Sequence, residues 1–226
     1  MEQNPHAKSS IVQFGRRLLT YLSQDWLTAL LDIYHLVRPF FVQQQNIGVY
    51  EILEYNSTLD LVDPKGKVAF FRRRQKVKFL QNNIMVFQDH AWGDGEIFAD
   101  YKCSPGVVVD RYKEGDRWNI LISLRETKSR GDITDFFIER TVKNGFLQAN
   151  EWWQVEVWYK TQRLTLSLIF PKGRHCQRAL LQTRSDNRST ILDQPQFHLL
   201  PDGRQLLRWE AINPAQAEVY TLRWQW

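Results

Sequence analysis

WQVEVWYKTQRLTLSLIF, residues 153–170, decides the fold class. Trp153, Val155, Val157 and Tyr159 occupy every second position, and after a short polar break Leu164, Leu166, Leu168 and Phe170 repeat the pattern. Side chains of an extended chain alternate between the two faces of a sheet, so each set falls on one face and predicts a strand with one buried side. The closeness of the two runs predicts that they pair with each other as a long antiparallel hairpin.

Working outward, the same two-residue period covers most of the chain from the mid-forties on. It predicts strands at Val49 to Tyr55, Leu59 to Val62, Lys67 to Phe79, Ile84 to Gln88, Glu96 to Tyr101, Val107 to Asp110, Trp118 to Leu124 and Ile133 to Val142. Beyond the opening segment it predicts Ala179 to Thr183, Gln196 to Leu199, Leu206 to Ile212 and Val219 to Trp226. Turn chemistry separates them. Asp63-Pro64-Lys65-Gly66 puts proline second and glycine fourth, the arrangement a type I turn favours, and Gly93-Asp94-Gly95, Lys143-Asn144-Gly145 and Pro201-Asp202-Gly203 punctuate the remainder. Strands in series without interleaved helices predict an all-β, antiparallel β-sandwich over residues 47–226. The closing run of Tyr220, Leu222, Trp224 and Trp226 is too aromatic to fray and is expected to pair inside a sheet.

Residues 1–46 read differently. Ile11, Phe14, Leu18, Leu19 and Leu22 are spaced by three and four, and Trp26, Leu27, Leu30, Leu31, Tyr34 and Val37 continue the stripe. This period predicts a short N-terminal helical extension that ends before Pro39, where the missing N–H and the proline ring stop a helix. Its polar face mixes Arg16, Arg17, Asp25 and Asp32, which suits packing against protein better than an anionic lipid surface. Phe14, Leu18, Leu22, Trp26, Leu30 and Tyr34 are therefore the expected partner-binding stripe, serving a protein partner or a homo-oligomer.

Composition sets the limits. The chain has 226 residues, 43% hydrophobic and 13% aromatic with nine tryptophans, which is enough to bury a core and too apolar for a disordered chain. Thirty Lys and Arg against 25 acids leave a formal +5, too small a surplus to establish a polyanion partner. Cys103 and Cys176 are the only cysteines, the start is polar, and no apolar run reaches spanning length. The expectation is a soluble, cytoplasmic protein.

Four groups are candidates for chemistry. The strongest charge feature is Lys65, Lys67, Arg72, Arg73, Arg74, Lys76 and Lys78 on one strand and its turn. Arg72, Arg74, Lys76 and Lys78 share a face and could track a phosphate backbone, or they could simply solvate the outer side of the strand. Asp89, His90, Asp94 and Glu96 form the densest set of potential metal ligands, yet their spacing fits neither an EF-hand nor a zinc site. His175 beside Cys176 suggests a thiol dyad, but neighbours on an extended backbone face opposite ways. Glu156 and Lys160 stand too far apart for a metal-dependent phosphodiesterase, and no phosphate-cradling glycine loop or nucleophile elbow exists.

No nucleophile, base and acid converge in the sequence, so no cofactor, metal or catalytic residue is expected. The reading is a non-catalytic binding or regulatory module acting through protein–protein interaction, its N-terminal helices mediating assembly or docking. A nucleic-acid-binding protein using the basic strand 65–78 is the alternative, and a metal-dependent hydrolase the second alternative.

Overall fold

The computed structural model describes residues 48–226. The expected helical stripe of Phe14, Leu18, Leu22, Trp26, Leu30 and Tyr34 lies outside those residues. Apart from one 3-10 turn at Gln194–Gln196, every regular element described is a strand. In chain order these are β1 (Tyr50–Leu61), β2 (Val68–Phe79), β3 (Ile84–Ala91), β4 (Glu96–Ser104), β5 (Val107–Glu114), β6 (Arg117–Lys128) and β7 (Ile133–Lys143). They continue as β8 (Asn150–Glu156), β9 (Arg163–Phe170), β10 (Arg178–Thr183), β11 (Arg188–Leu192), β12 (Phe197–Leu199), β13 (Gln205–Ile212) and β14 (Val219–Gln225).

The all-β class holds, and the strands sort into three sheets. A seven-stranded sheet runs β12-β13-β9-β1-β2-β7-β4, a four-stranded sheet β11-β10-β14-β8, and a three-stranded sheet β3-β6-β5. The largest sheet is mixed, because β1 and β9 are parallel, with Ser57 opposite Leu166 and Leu59 opposite Leu168. The expected antiparallel pairing therefore gives way at the middle of that sheet.

The residue 153–170 segment shows why. Both halves bury the face that alternation selects: Trp153, Val155, Val157 and Tyr159 are at most 9% exposed, and Leu164, Leu166, Leu168 and Phe170 at most 1%. They do not form a hairpin. β8 pairs with β14, whereas β9 pairs with β1 and β13, so the chain changes sheets between Glu156 and Arg163. The crossing is held where the Ile52 N–H donates to the Lys160 carbonyl at 2.9 Å and the Gln162 N–H to the Ile52 carbonyl at 2.9 Å. Alternation fixes which face a strand buries and leaves its partner open.

Other boundaries move less. Leu59 to Val62 is not a separate strand but the end of β1, whose one irregularity is a bulge between Ile52 and Glu54. The Asp63–Gly66 turn forms as expected: the Gly66 N–H donates to the Asp63 carbonyl at 2.8 Å, and both Asp63 carboxylate oxygens accept backbone N–H groups, from Lys65 and Lys67. Glycine is required there, since Gly66 has φ +71° and an added Cβ would lie 1.6 Å from the Phe146 carbonyl oxygen. β14 is an interior strand between β10 and β8, and Trp224 and Trp226 are buried, as the aromatic run implies.

One continuous core joins the sheets. Phe87 of β3 stacks on Phe136 of β7 with centroids 4.0 Å apart, and Tyr50 of β1 packs against Tyr159 at 4.1 Å. Phe71 of β2 meets Trp153 of β8 edge-on at 6.2 Å, while Phe170 of β9 meets Trp224 of β14 at 6.2 Å. Aromatic pairs of this geometry add to the stabilisation from apolar burial itself. No helix among the described residues is long and apolar enough to cross a membrane.

A candidate binding cleft where three sheets meet

β1, β2 and β7 are neighbours in the large sheet, and their inward residues form the floor of a cleft. β3 from the three-stranded sheet makes one wall. β8 and the crossing segment from Val157 to Thr161 make the other. The cavity so enclosed is about 100 Å³. Gly93, Asp94 and Trp152 are exposed at its lining.

The floor carries charge where the pattern calls for apolar residues. On β2 the inward set is Ala69, Phe71, Arg73, Gln75, Val77 and Phe79, so Arg73 points into the protein and is only 8% exposed. On β7 the inward set is Phe136, Ile138, Arg140 and Val142. On β3, Asp89 sits in phase with the buried Phe87 and Ala91 and is 2% exposed.

Arg73 and Asp89 satisfy each other. Arg73 Nη2 donates to Asp89 Oδ1 in a tight ion pair, and Arg73 Nη1 donates to the Tyr55 hydroxyl at 3.3 Å. The Tyr101 hydroxyl donates to Asp89 Oδ2 at 2.8 Å, and the His90 backbone N–H to Oδ1 at 2.6 Å. Burial pushes the Asp89 carboxyl up, but the adjoining Arg73 guanidinium outweighs it and holds the group below the usual carboxylate range. Burial and then the Asp89 charge raise the Tyr101 phenol, which stays protonated as the donor.

Arg140 has no such partner. It stands opposite Phe71 in the ladder, with its guanidinium carbon 4.2 Å from the centre of that ring. No carboxylate lies within ion-pair distance among the described residues, and its Nε is buried without an acceptor. Burial brings its pKa down to about 10 against the opposing pull of the Asp89 charge, so it remains a cation at neutral pH. Arg73, Arg140 and Asp89 thus bring two guanidinium groups and one carboxylate together where the floor meets β3.

The walls are aromatic. The His90 ring lies against Trp158 with centroids 4.9 Å apart, and both its nitrogens are buried beside Asn119 of β6. Burial pushes its pKa down to about 4, which makes it a neutral imidazole able to donate at one nitrogen and accept at the other. Arg117 stacks over Trp158 at 4.1 Å and Trp92 at 5.4 Å, and its charge is met by Glu156 at 2.7 Å.

The basic strand divides by face. Arg72, Arg74, Lys76 and Lys78 do share the outer side, and Arg73 lies on the other. Lys65 and Lys67 are exposed in and beside the turn. The outer cations meet acids of the flanking strands: Arg74 reaches Asp135 at 2.9 Å and Glu54 at 3.9 Å, and Arg72 reaches Asp60 at 3.7 Å. Lys76 stands opposite Glu54 and Asp135, and Lys78 opposite Glu51.

Among the described residues no three His, Cys, Asp or Glu converge as metal ligands, and Asp89 is engaged by Arg73 and Tyr101. His175 Nε2 lies 3.1 Å from the Gly203 carbonyl, while burial pushes the Cys176 thiol up to about 12. Arg140, Tyr101, Tyr55, Arg117 and Trp158 are among the site residues that sequence reasoning missed. The signal for Arg140 was present: an arginine in phase with Phe136, Ile138 and Val142 on the apolar side of a strand.

No family model matches the chain, and no curated protein matches it. Among solved structures it is similar to an M1 zinc metallopeptidase from Deinococcus radiodurans, with TM-score 0.47, 8% identity, and coverage of 78% of this chain and 42% of that one. A mutant two-domain M1 zinc metallopeptidase bound to L-tryptophan gives TM-score 0.48 and 8% identity, over 78% of this chain and 43% of that one. The chain spans less than half the length of these peptidase chains.

Proposed function

We propose that the protein is a non-catalytic binding module that acts through protein–protein contact, with the cleft between the three sheets as its recognition site. The observation that carries this reading is Arg140: a half-buried guanidinium on an aromatic floor, its Nε without an acceptor and with no ion pair of its own among the described residues. Leaving a buried charge unpaired costs stability, and such a cost is kept where a ligand supplies the missing group. The aromatic walls support the same reading, because rigid rings provide contact area at small entropic cost. Residues 1–46 serve assembly or docking in this proposal, through the stripe of Phe14, Leu18, Leu22, Trp26, Leu30 and Tyr34.

The nucleic-acid alternative has less support. Its four outer-face cations are interleaved with Glu51, Glu54 and Asp135, so that face lacks the one-signed field that attracts a phosphate backbone. The metal-dependent hydrolase has less again, since Asp89 is committed to Arg73.

Affinity capture compares the full chain with Trp158→Ala and Arg140→Met forms. A protein recovered by the parent and lost from both variants supports the cleft, whereas recovery unchanged in both moves recognition elsewhere. Light scattering on the full chain and on a form beginning at residue 47 tests the extension. A lower assembly state in the shorter form is expected, and identical states would remove that role.

A further inference from the structure

We propose that the cleft binds a single carboxylate carried on a flat apolar body about the size of one aromatic ring, with Arg140 as the residue that receives the charge. This rests on the cleft being the recognition site and names what enters it.

Four observations set the ligand's chemistry. The first is charge at the floor: Arg73 is neutralised by Asp89, so Arg140 is the guanidinium left to take an anion. A guanidinium presents paired N–H donors in a plane that matches a carboxylate. The second is shape and polarity. The space of about 100 Å³ lies among Phe71, Trp153 and Trp158, smaller than the dry apolar cavity of about 150 Å³ known to accommodate benzene. One ring is therefore the upper limit for the apolar body, and a nucleotide does not fit.

Third, His90 lines the cleft as a neutral imidazole lying against Trp158. It adds no second positive charge to the lining. The fourth observation limits the charge. Asp94 and Glu151 also line the cleft, and Glu156 does so while paired to Arg117. A dianion such as phosphate would meet these acids with only one free guanidinium in compensation, so a monoanion is preferred.

Two sources carry this chemistry: a free small acid, and the C-terminal carboxylate of a peptide whose last side chain is apolar. The test is calorimetric titration of the full chain, followed in parallel by tryptophan emission, because Trp92, Trp152, Trp153 and Trp158 line the cleft. The probes are benzoate and phenylacetate, their uncharged amides, inorganic phosphate, and a tripeptide ending in Phe with a free or an amidated terminus. The acids are expected to bind about tenfold to a hundredfold more tightly than their amides, the difference a charge-assisted pair supplies. Arg140→Met should erase that preference and Arg140→Lys keep part of it. A preference shown by the free tripeptide over its amidated form identifies a chain end as the source, and preference confined to benzoate and phenylacetate identifies a free acid.

Equal binding of acids and amides, tighter binding of phosphate, or no binding of any probe at millimolar concentration overturns the proposal. The acid-against-amide comparison uses the unaltered chain, so it decides the matter even where a variant fails to fold. These outcomes are separable from failure of the binding-module reading. An absent acid preference leaves partner capture by the cleft intact, whereas acid binding without cleft-dependent capture removes the protein-contact reading alone.

Discussion

The two faces of β2 carry the same residue type and treat it in opposite ways. On the outer face Arg72 and Arg74 are 52% and 44% exposed and meet acids across the ladder. On the inner face Arg73, one position away, is desolvated against Asp89, and its diagonal neighbour Arg140 makes no ion pair of its own among the described residues. The difference teaches that a run of like charges is not one feature once it lies on a strand. Odd and even members enter different dielectric environments, and only the inner ones carry large energies.

The sharpest way to break the comparison is to remove the inner carboxylate. Asp89→Ala strands Arg73 in the core and is expected to cost about 3–5 kcal/mol, read as a lower urea midpoint. Replacing both members by apolar residues of similar volume should recover most of that loss, since it is the unpaired charge that is expensive.

Next in size is a pH effect at the cleft wall. A histidine titrates near 6.5 in an unfolded chain, whereas His90 is held to about 4 in the fold. Between those values the unfolded state carries the extra proton, so stability falls as pH drops from about 6.5 to about 4. The full loss is about 3 kcal/mol, and His90→Gln should flatten that part of a melting-temperature profile.

Arg140→Met predicts the opposite sign. It relieves a desolvated charge without a partner, so stability should rise by about 1 kcal/mol in denaturant titrations. Stability rising as ligand binding disappears would separate Arg140 from Arg73 in role as well as in position. Smallest is the outer face: Arg74→Gln should change stability by about 0.5 kcal/mol or less, and the change should shrink further in high salt.

The sequence was most legible where a local signal was enough. Asp63-Pro64-Lys65-Gly66 marked the β1–β2 turn, and alternation in residues 153–170 selected the buried face correctly. The pairing of β8 and β9 was misread because their separation looks like a hairpin, while their partners β14 and β1 lie far along the chain. β11 went unseen because RSTIL, residues 188–192, buries only Leu192. The candidate site was half legible: Arg73 stood out only as one charge of the basic run, off the face shared by Arg72, Arg74, Lys76 and Lys78, and Arg140 was passed over. Both are charged residues in phase with apolar neighbours, a mark that becomes a site only when β3 and β8 bring Asp89, His90 and the tryptophans alongside.

The parallel contact between β1 and β9 sets the tempo at which this molecule assembles. Tyr55 to Asp60 pair with Leu164 to Ile169, more than a hundred residues later. A nascent chain can zip β1 to β2 at once through their tight turn, but the other side of β1 stays bare until β9 has been synthesised and the long intervening loop has closed. During that interval an unpaired strand edge beside Leu59 and Leu61 is open to the wrong neighbours. Refolding in milliseconds to seconds, with yield that falls as protein concentration rises, is the kinetic signature of a sheet whose middle is completed last.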